Sequence, residues 1–389
     1  MRYRPQRLAF VANSAWSLQQ FRLDTMLFLQ QHGYEVHAIA PPDGWEQVLF
    51  RHGITFHPWL LSAYGYQPCR EWSSYRQLKA MYRSLRPHLI FHYTLKPNTL
   101  GGWAAHRLGI PGIAVATGIG HAALRPPGLM RGMIHHLYRQ ISNTHREVWV
   151  LNAPDWHYLK EHQLGDLNKV RILPGEGVHL QHYPAAAYRR NRYSGAPCRF
   201  LYAGRLLRQK GIYELIGALR LLTKERKTWT CRLVGSPPLG HPDAVPLYRI
   251  EQWVREGLVT WSPEVADVRP WLQWADVVVL PSWREGLSRI LLEAAASARP
   301  LLAARVPGCA ELISNGRSGL LHEPRNAADL ARKMRQFIRT DRTDRQAMGS
   351  AGRLWVSEHF GHQRILDAYQ DAIYRQLRHF AHPKTQLYS

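Results

Sequence analysis

The chain has 389 residues, more than one ordinary hydrophobic core accommodates and a comfortable length for two domains. Its apolar share of 45% is a normal globular value and argues against wholesale disorder. Lys and Arg outnumber Asp and Glu by 51 to 28, a net charge of +23, so an anionic partner is expected: nucleic acid, an anionic membrane surface or a phosphorylated substrate. Cys69, Cys198, Cys231 and Cys309 form no CxxC pair and have no spacing typical of a zinc site or disulfide framework, which fits reduced thiols in the cytoplasm. No apolar run approaches the ~20 residues that span a bilayer, so membrane contact is expected to be peripheral.

Short β-type runs alternate with helical patterns from the start. RLAFVAN (7–13) reads as a first strand rather than a signal peptide, and 18–31 has helical spacing closed by Gly33. YEVHAIA (34–40), HLIFHY (88–93), IPGIAVAT (110–117), EVWVLN (147–152) and VRILPGEGV (170–178) continue the series. Residues 184–198, rich in Ala and Arg and carrying Gly and Pro, read as a linker. A second series comes next with RFLYAG (199–204), TCRLVG (230–235), GLVTW (257–261), DVVVLP (276–281) and RPLLAA (299–304), with helical patterns near 209–226, 286–298 and 326–339. Residues 362–380 read as one amphipathic helix. The fold class expected is α/β: two doubly wound, Rossmann-like parallel-sheet domains. The boundaries expected are 1–183 and 199–360, with 361–389 forming a helix that packs back on the first domain. Such sheets place ligands at the carboxyl ends of their strands, and a cleft between the domains is the expected site.

Two blocks carry the chemistry. In LPSWREGLSRILLEA (280–294) a strand ends at Pro281, Glu285 and Gly286 are read as opening a helix, and Glu293 follows two turns on. Taken alone, Glu285 reads as a capping residue and Glu293 as a solvated one. In FLYAGRLLRQKGIYELIGA (200–218), Arg205 and Lys210 lie in the turn between a strand ending at Gly204 and a helix beginning near Gly211. Two cations there suit a diphosphate, although surface charge is common in so basic a chain.

The first block resembles the E-x7-E signature of retaining glycosyltransferases of family four, whose two-domain fold is termed GT-B. The second block is similar to that family's G-R-x-x-x-x-K-G pattern. LVGSP (233–237), with Gly235, resembles the family's glycine turn near the base, and VPGCAELISNGRSGLLHEP (306–324), with Glu311, its late segment. GVHLQHYP (177–184) is similar to its hinge motif. The resemblance implies that Glu293 holds the ribose hydroxyls and that Glu285 lies beside the transferred sugar. It further implies that Arg205 and Lys210 hold the donor diphosphate, with Gly204, Gly235, Gly286 and the backbone amides of Leu287 and Ser288 around the donor. In the first half, ATGIGHAA (116–123) and HYTLKPN (92–98) resemble strand-end turns that bring His121, Lys96 and Asn98 to the site. The turn after the first strand, with Asn13 and Ser14, lacks the double glycine of many members, and Ser14 reads equally as a helix cap.

The resemblance implies transfer with retention from a nucleoside-diphosphate sugar, UDP-linked, without a metal or other cofactor. The acceptor implied is a polyprenyl-diphosphate-linked saccharide of surface-polysaccharide or glycan assembly. The basic and aromatic stretches 64–86 and 125–139 fit a peripheral contact with the anionic inner face of the cell membrane. A non-hydrolysing nucleotide-sugar epimerase of similar fold remains an alternative. A nucleic-acid-binding protein is the rival of another class, supported by charge alone. A Rossmann dehydrogenase is excluded, because no G-x-G-x-x-G follows the first strand.

Overall fold

Alternating apolar strands and amphipathic helices organise the chain into two α/β units in a computed structural model, which describes residues 5–61, 67–119, 128–173, 175–185, 196–223, 228–263 and 265–378. Unit 1 takes in Met1–Glu176 and Gln363–Ser389, and unit 2 is Gly177–His362.

The elements before the first crossing are β1 (Arg7–Val11), α1 (Ala15–Gln31), β2 (Glu35–Ala40), α2 (Glu46–Arg51), β3 (Thr55–Pro58), α3 (Pro68–Leu85), β4 (Leu89–Tyr93), α4 (Gly102–Arg107), β5 (Gly112–Ala116), α5 (Leu129–Thr144), β6 (Glu147–Val150), α6 (Ala153–Glu161) and β7 (Val170–Ile172). A π-helical turn over Pro97–Gly101 leads into α4. The strands form one parallel sheet in the order β3-β2-β1-β4-β5-β6-β7. Its central strands are buried on both faces, as a sheet covered by helices on both sides requires.

Unit 2 contains β8 (Cys198–Ala203), α7 (Ile212–Leu222), β9 (Trp229–Val234), α8 (Leu247–Arg255), β10 (Thr260–Ser262), α9 (Arg269–Trp274), β11 (Val277–Leu280), α10 (Arg289–Ala296), β12 (Leu301–Ala304), β13 (Gly319–His322), α11 (Ala327–Arg339) and α12 (Arg342–Phe360). Its parallel sheet runs β10-β9-β8-β11-β12-β13. In each sheet the strand order reverses once, between β1 and β4 and between β8 and β11. Those reversals are where a doubly wound sheet opens a crevice for a ligand.

The last described helix, α13 (His362–Leu377), belongs to unit 1. Its Tyr369 is fully buried, lies against Phe10, Phe91 and Trp149, and hydrogen-bonds Tyr93 between hydroxyls at 2.8 Å. Arg375 and Gln376 add hydrogen bonds to the buried Glu147.

Unit 1 also buries a directional chain of polar side chains. His145 Nδ1 lies 2.9 Å from the carbonyl of Ile141, which only accepts, so Nδ1 carries the proton. His145 Nε2 therefore accepts from His92 Nδ1 at 3.0 Å, and His92 Nε2 accepts from the Tyr82 hydroxyl at 2.9 Å. Both rings are neutral in this arrangement. Burial pushes His92 well below the usual imidazole value and His145 down to about 4.

The sequence boundaries need correction. The chain enters unit 2 after Glu176, before the expected boundary at 183, because 177–185 is bound to unit 2. The amide of Val178 donates to the carbonyl of Phe360, and Arg353 donates to the carbonyls of Leu180 and Tyr183. Of the expected linker 184–198, positions 186–195 lie outside the described residues, and Cys198 already begins β8.

Candidate active site

The reversal between β8 and β11 assembles the charged groups of unit 2. β8 ends at Ala203, and Gly204 turns the chain at φ +148. Arg205 comes next, exposed, and its carbonyl accepts from the buried Tyr202 hydroxyl. A short 3-10 turn, Arg208–Lys210, then delivers Lys210, and Gly211 starts α7 at φ +74. A Cβ on Gly211 would meet the Pro281 carbonyl oxygen at 2.0 Å, and one on Gly235 would meet that of Gly204 at 2.1 Å. These positions are glycine because backbone crosses backbone there.

Next door, β11 ends at Leu280 and the chain runs through Pro281 and Ser282 to Glu285. Lys210 Nζ donates to Glu285 Oε1 at 2.5 Å and to Oε2 at 2.7 Å. The buried Ser282 hydroxyl donates to Oε1 at 2.6 Å. The backbone of Glu285 is held as well, its amide donating to the carbonyl of Pro307. An ammonium has three N–H donors, and this carboxylate takes two of them. The third suits an anion, and the lysine is held in place before any ligand arrives.

One expectation about this loop is corrected. Glu285 and Gly286 do not open the helix; α10 starts at Arg289, and the Ser288 hydroxyl caps it by accepting from the Leu291 amide. Glu285 therefore sits in a loop and does not share a helix face with Glu293. Nor does the Ser288 amide point at a ligand, because it donates to the carbonyl of Gly308 at 2.9 Å. The cause is close backbone packing: a Cβ on Gly308 would meet the carbonyl oxygens of Glu285 and Gly286 at 2.5 and 2.7 Å. Leu287 is buried.

Glu293 lies in the second turn of α10, nearly buried, and accepts from the Tyr183 hydroxyl at 2.8 Å and from Arg289 Nε at 2.7 Å. Glu311 sits in a 3-10 turn and accepts from the Gly308 amide, bracing the same loop. Sequence patterns do not single out Ser282, Tyr183 or Arg289. Ser282 and Arg289 lie inside the 280–294 block and Tyr183 inside the 177–184 motif, but nothing local pairs Tyr183 with Glu293, which it meets across 110 positions.

In unit 1, the residues expected beside an acceptor fall around the β1/β4 reversal. Asn13 is exposed just after β1, and Ser14 caps α1 by accepting from the Ser17 amide. Lys96 donates to Glu71 of α3 at 2.6 Å. Asn98 is buried in the π-helical turn and donates to the carbonyl of Val115 at 3.1 Å. His121 lies outside the described residues.

Two doubly wound sheets, with a cation–carboxylate cluster at the second reversal, define a class of transferases that the comparisons identify. Residues 197–340 match the family model described as glycosyl transferases group 1, and residues 7–145 match glycosyl transferase 4-like. Together these cover well over half of the chain, which belongs to these glycosyltransferases and has their GT-B fold. A relative from Campylobacter jejuni, N,N'-diacetylbacillosaminyl-diphospho-undecaprenol alpha-1,3-N-acetylgalactosaminyltransferase, is 24% identical over 381 residues, 94% of this chain and 99% of its own. D-inositol 3-phosphate glycosyltransferase of Pseudarthrobacter chlorophenolicus is 32% identical, over 62% of this chain and 57% of its own. Among solved structures, Anabaena Alr3699/HepE in complex with UDP-glucose superposes with TM-score 0.77 at 18% identity, covering 95% of this chain and 99% of that one. Sucrose-phosphate synthase of Thermosynechococcus elongatus gives 0.77 at 19%, covering 97% and 100%.

Proposed function

We propose that this glycosyltransferase moves a sugar, an N-acetylhexosamine or hexose, with retention from a UDP-linked donor to a polyprenyl-diphosphate-linked saccharide. The observation that carries the donor side is the Lys210–Glu285–Ser282 cluster at the β8/β11 reversal, with exposed Arg205 at its edge. In this reading the bond from the anomeric carbon to the diphosphate oxygen breaks, and the nucleoside diphosphate leaves with the electron pair. The acceptor hydroxyl forms the new glycosidic bond and gives its proton to an oxygen of the departing phosphate. Lys210 and Arg205 neutralise the charge that develops on the diphosphate, so the reaction needs no metal. Glu285 fixes Lys210, and Glu293 holds the ribose. The acceptor class is supported by the activity of the Campylobacter relative, whose similarity extends over 94% of this chain.

Residence at an anionic membrane face, on the cytoplasmic side, fits the surface of unit 1. On α5, Leu129, Met130 and Met133 are exposed, and Arg139 is exposed further along the same helix. On α3, exposed Trp72, Arg76 and Arg83 follow one helical stripe with half-buried Lys79. No described helix is long and apolar enough to cross a membrane.

The test is a panel of nucleotide sugars incubated with polyprenyl-diphosphate-linked sugars, with products read by mass. A lipid-linked saccharide longer by one N-acetylhexosamine or hexose is expected. An altered nucleotide sugar formed without acceptor would make the chain an epimerase. Sedimentation with anionic vesicles, abolished by high salt and absent with duplex DNA, is the expected result for the membrane partner.

A further inference from the structure

Glu293 is the carboxylate that the donor reading sets against the ribose, and any role for its neighbours there rests on that reading. Its Oε1 is used twice, by the Tyr183 hydroxyl at 2.8 Å and by Arg289 Nε at 2.7 Å. Among the described residues none donates to Oε2. An ionised carboxylate offers about four acceptor positions, two on each oxygen. The protein fills those on Oε1, and the two on Oε2 equal the number of hydroxyls in a ribose 2′,3′-diol.

Tyr183 is itself anchored. The Arg353 guanidinium donates to the carbonyl of Tyr183 at 2.6 Å and to that of Leu180 at 3.3 Å, and it also bonds the carbonyl of Ala296, the last residue of α10. The backbone of Tyr183 is thereby tied to one end of the helix whose middle its hydroxyl touches. Burial and the neighbouring Glu293 push the phenol well above its usual value, so it keeps its proton and donates at any physiological pH. A glutamate has three rotatable side-chain bonds, and a carboxylate free to turn would lose binding energy to ordering.

We infer that Tyr183, together with Arg289, is a positioning residue that locks the Glu293 carboxylate so that Oε2 alone recognises the ribose diol of the donor. The hydroxyl of Tyr183 touches no reacting atom in this arrangement. Its removal weakens recognition of the diol and leaves the chemical step in place.

The experiment is calorimetric titration of UDP and of 2′,3′-dideoxy-UDP into the full chain, wild type, Tyr183→Phe and Glu293→Ala, alongside steady-state kinetics. Tyr183→Phe is expected to weaken UDP about tenfold, raise the donor KM by a similar factor and leave kcat within about twofold. Affinity for dideoxy-UDP is expected to stay within about twofold, because the group that Tyr183 orients has no diol to read. Unchanged UDP affinity, or equal weakening of both nucleotides, overturns the inference, since a merely structural loss would not discriminate the diol. If Glu293→Ala weakens UDP selectively while Tyr183→Phe does not, positioning by Tyr183 alone fails. If Glu293→Ala leaves UDP binding unchanged, the ribose reading fails and takes this inference with it. Should Tyr183→Phe melt below the assay temperature, Arg289→Leu removes the other donor to Oε1 and carries the same expected split.

Discussion

Both sheets set a lysine–glutamate pair at the reversal of their strand order, and the two pairs are built to different standards. In unit 2, Lys210 bonds both oxygens of Glu285, and Ser282 adds a further hydrogen bond. In unit 1, Lys96 bonds Oε1 of Glu71, whereas Glu71 Oε2 is buried without a hydrogen-bond partner among the described residues, as is Oδ1 of nearby Asn98. An unmet buried acceptor costs about 1–3 kcal/mol. The same ion pair can thus be a finished device or an unfinished one. Unit 2 presents a cation fixed in advance, which is what stabilising a developing charge requires. Unit 1 holds acceptor atoms that a donor-bearing group would satisfy.

The largest expected effect breaks the pair in unit 1. Lys96→Met leaves Glu71 charged and only 7% exposed at its side chain, and removing one partner of a buried pair costs about 3–5 kcal/mol. Urea unfolding should show that loss, and the double variant Lys96→Met/Glu71→Gln should recover most of it. A single-variant cost below about 1 kcal/mol would mean that Glu71 does not depend on Lys96. In unit 2 the corresponding change is expected to appear as rate. Lys210→Ala should lower kcat by about 10²–10³ without rescue by magnesium, while exposed Arg249→Ala leaves kcat unchanged. Equal kinetics for the two variants would remove Lys210 from the diphosphate site.

A smaller effect comes from acid, through the buried imidazole of His145 in unit 1. His145 is buried neutral with its value lowered to about 4, below that of an unfolded imidazole. As pH falls below about 6.5 the unfolded chain takes up a proton that the folded chain refuses, so stability is lost as pH falls. Between pH 6.5 and 5 one such group removes about 2 kcal/mol, at about 1.4 kcal/mol per pH unit. Stability of the wild type at pH 7 and pH 5, set against that of His145→Gln, checks this. The variant should show a shallower dependence, and an equal slope would exclude His145 as the source.

The alternation of strands and helices is legible because fully buried parallel strands leave unbroken apolar runs such as FVA, VVVL and LLAA. Two strands carry too little of that signal. β3 is a four-residue edge strand ending in Pro58, and β13 is equally short and hidden within a longer late segment. Gly204, Arg205 and Lys210 can be picked out because a strand ends beside them, and Glu285 and Glu293 because the 280–294 block as a whole resembles the E-x7-E signature. Their contacts cannot. Lys210 meets Glu285 across 75 positions and Lys96 meets Glu71 across 25, and neither distance follows from local periodicity. The helix start is misplaced from sequence because a glutamate suits a first turn electrostatically, while the cap that decides the matter is Ser288.

Tyr369 of α13 fills the middle of an aromatic cluster whose other members, Phe10, Phe91, Tyr93 and Trp149, are all made more than two hundred residues earlier. Unit 2 is one uninterrupted stretch of chain, and unit 1 is not. On a ribosome moving at ~5–20 residues per second, the sheet of unit 1 therefore waits for its last aromatic until unit 2 has been synthesised in full. During that interval an apolar socket stands open on a nascent chain, and a chain ending before residue 363 keeps it open for good. Order of synthesis and order of completion are thus reversed in this protein: the half that is made first is finished last.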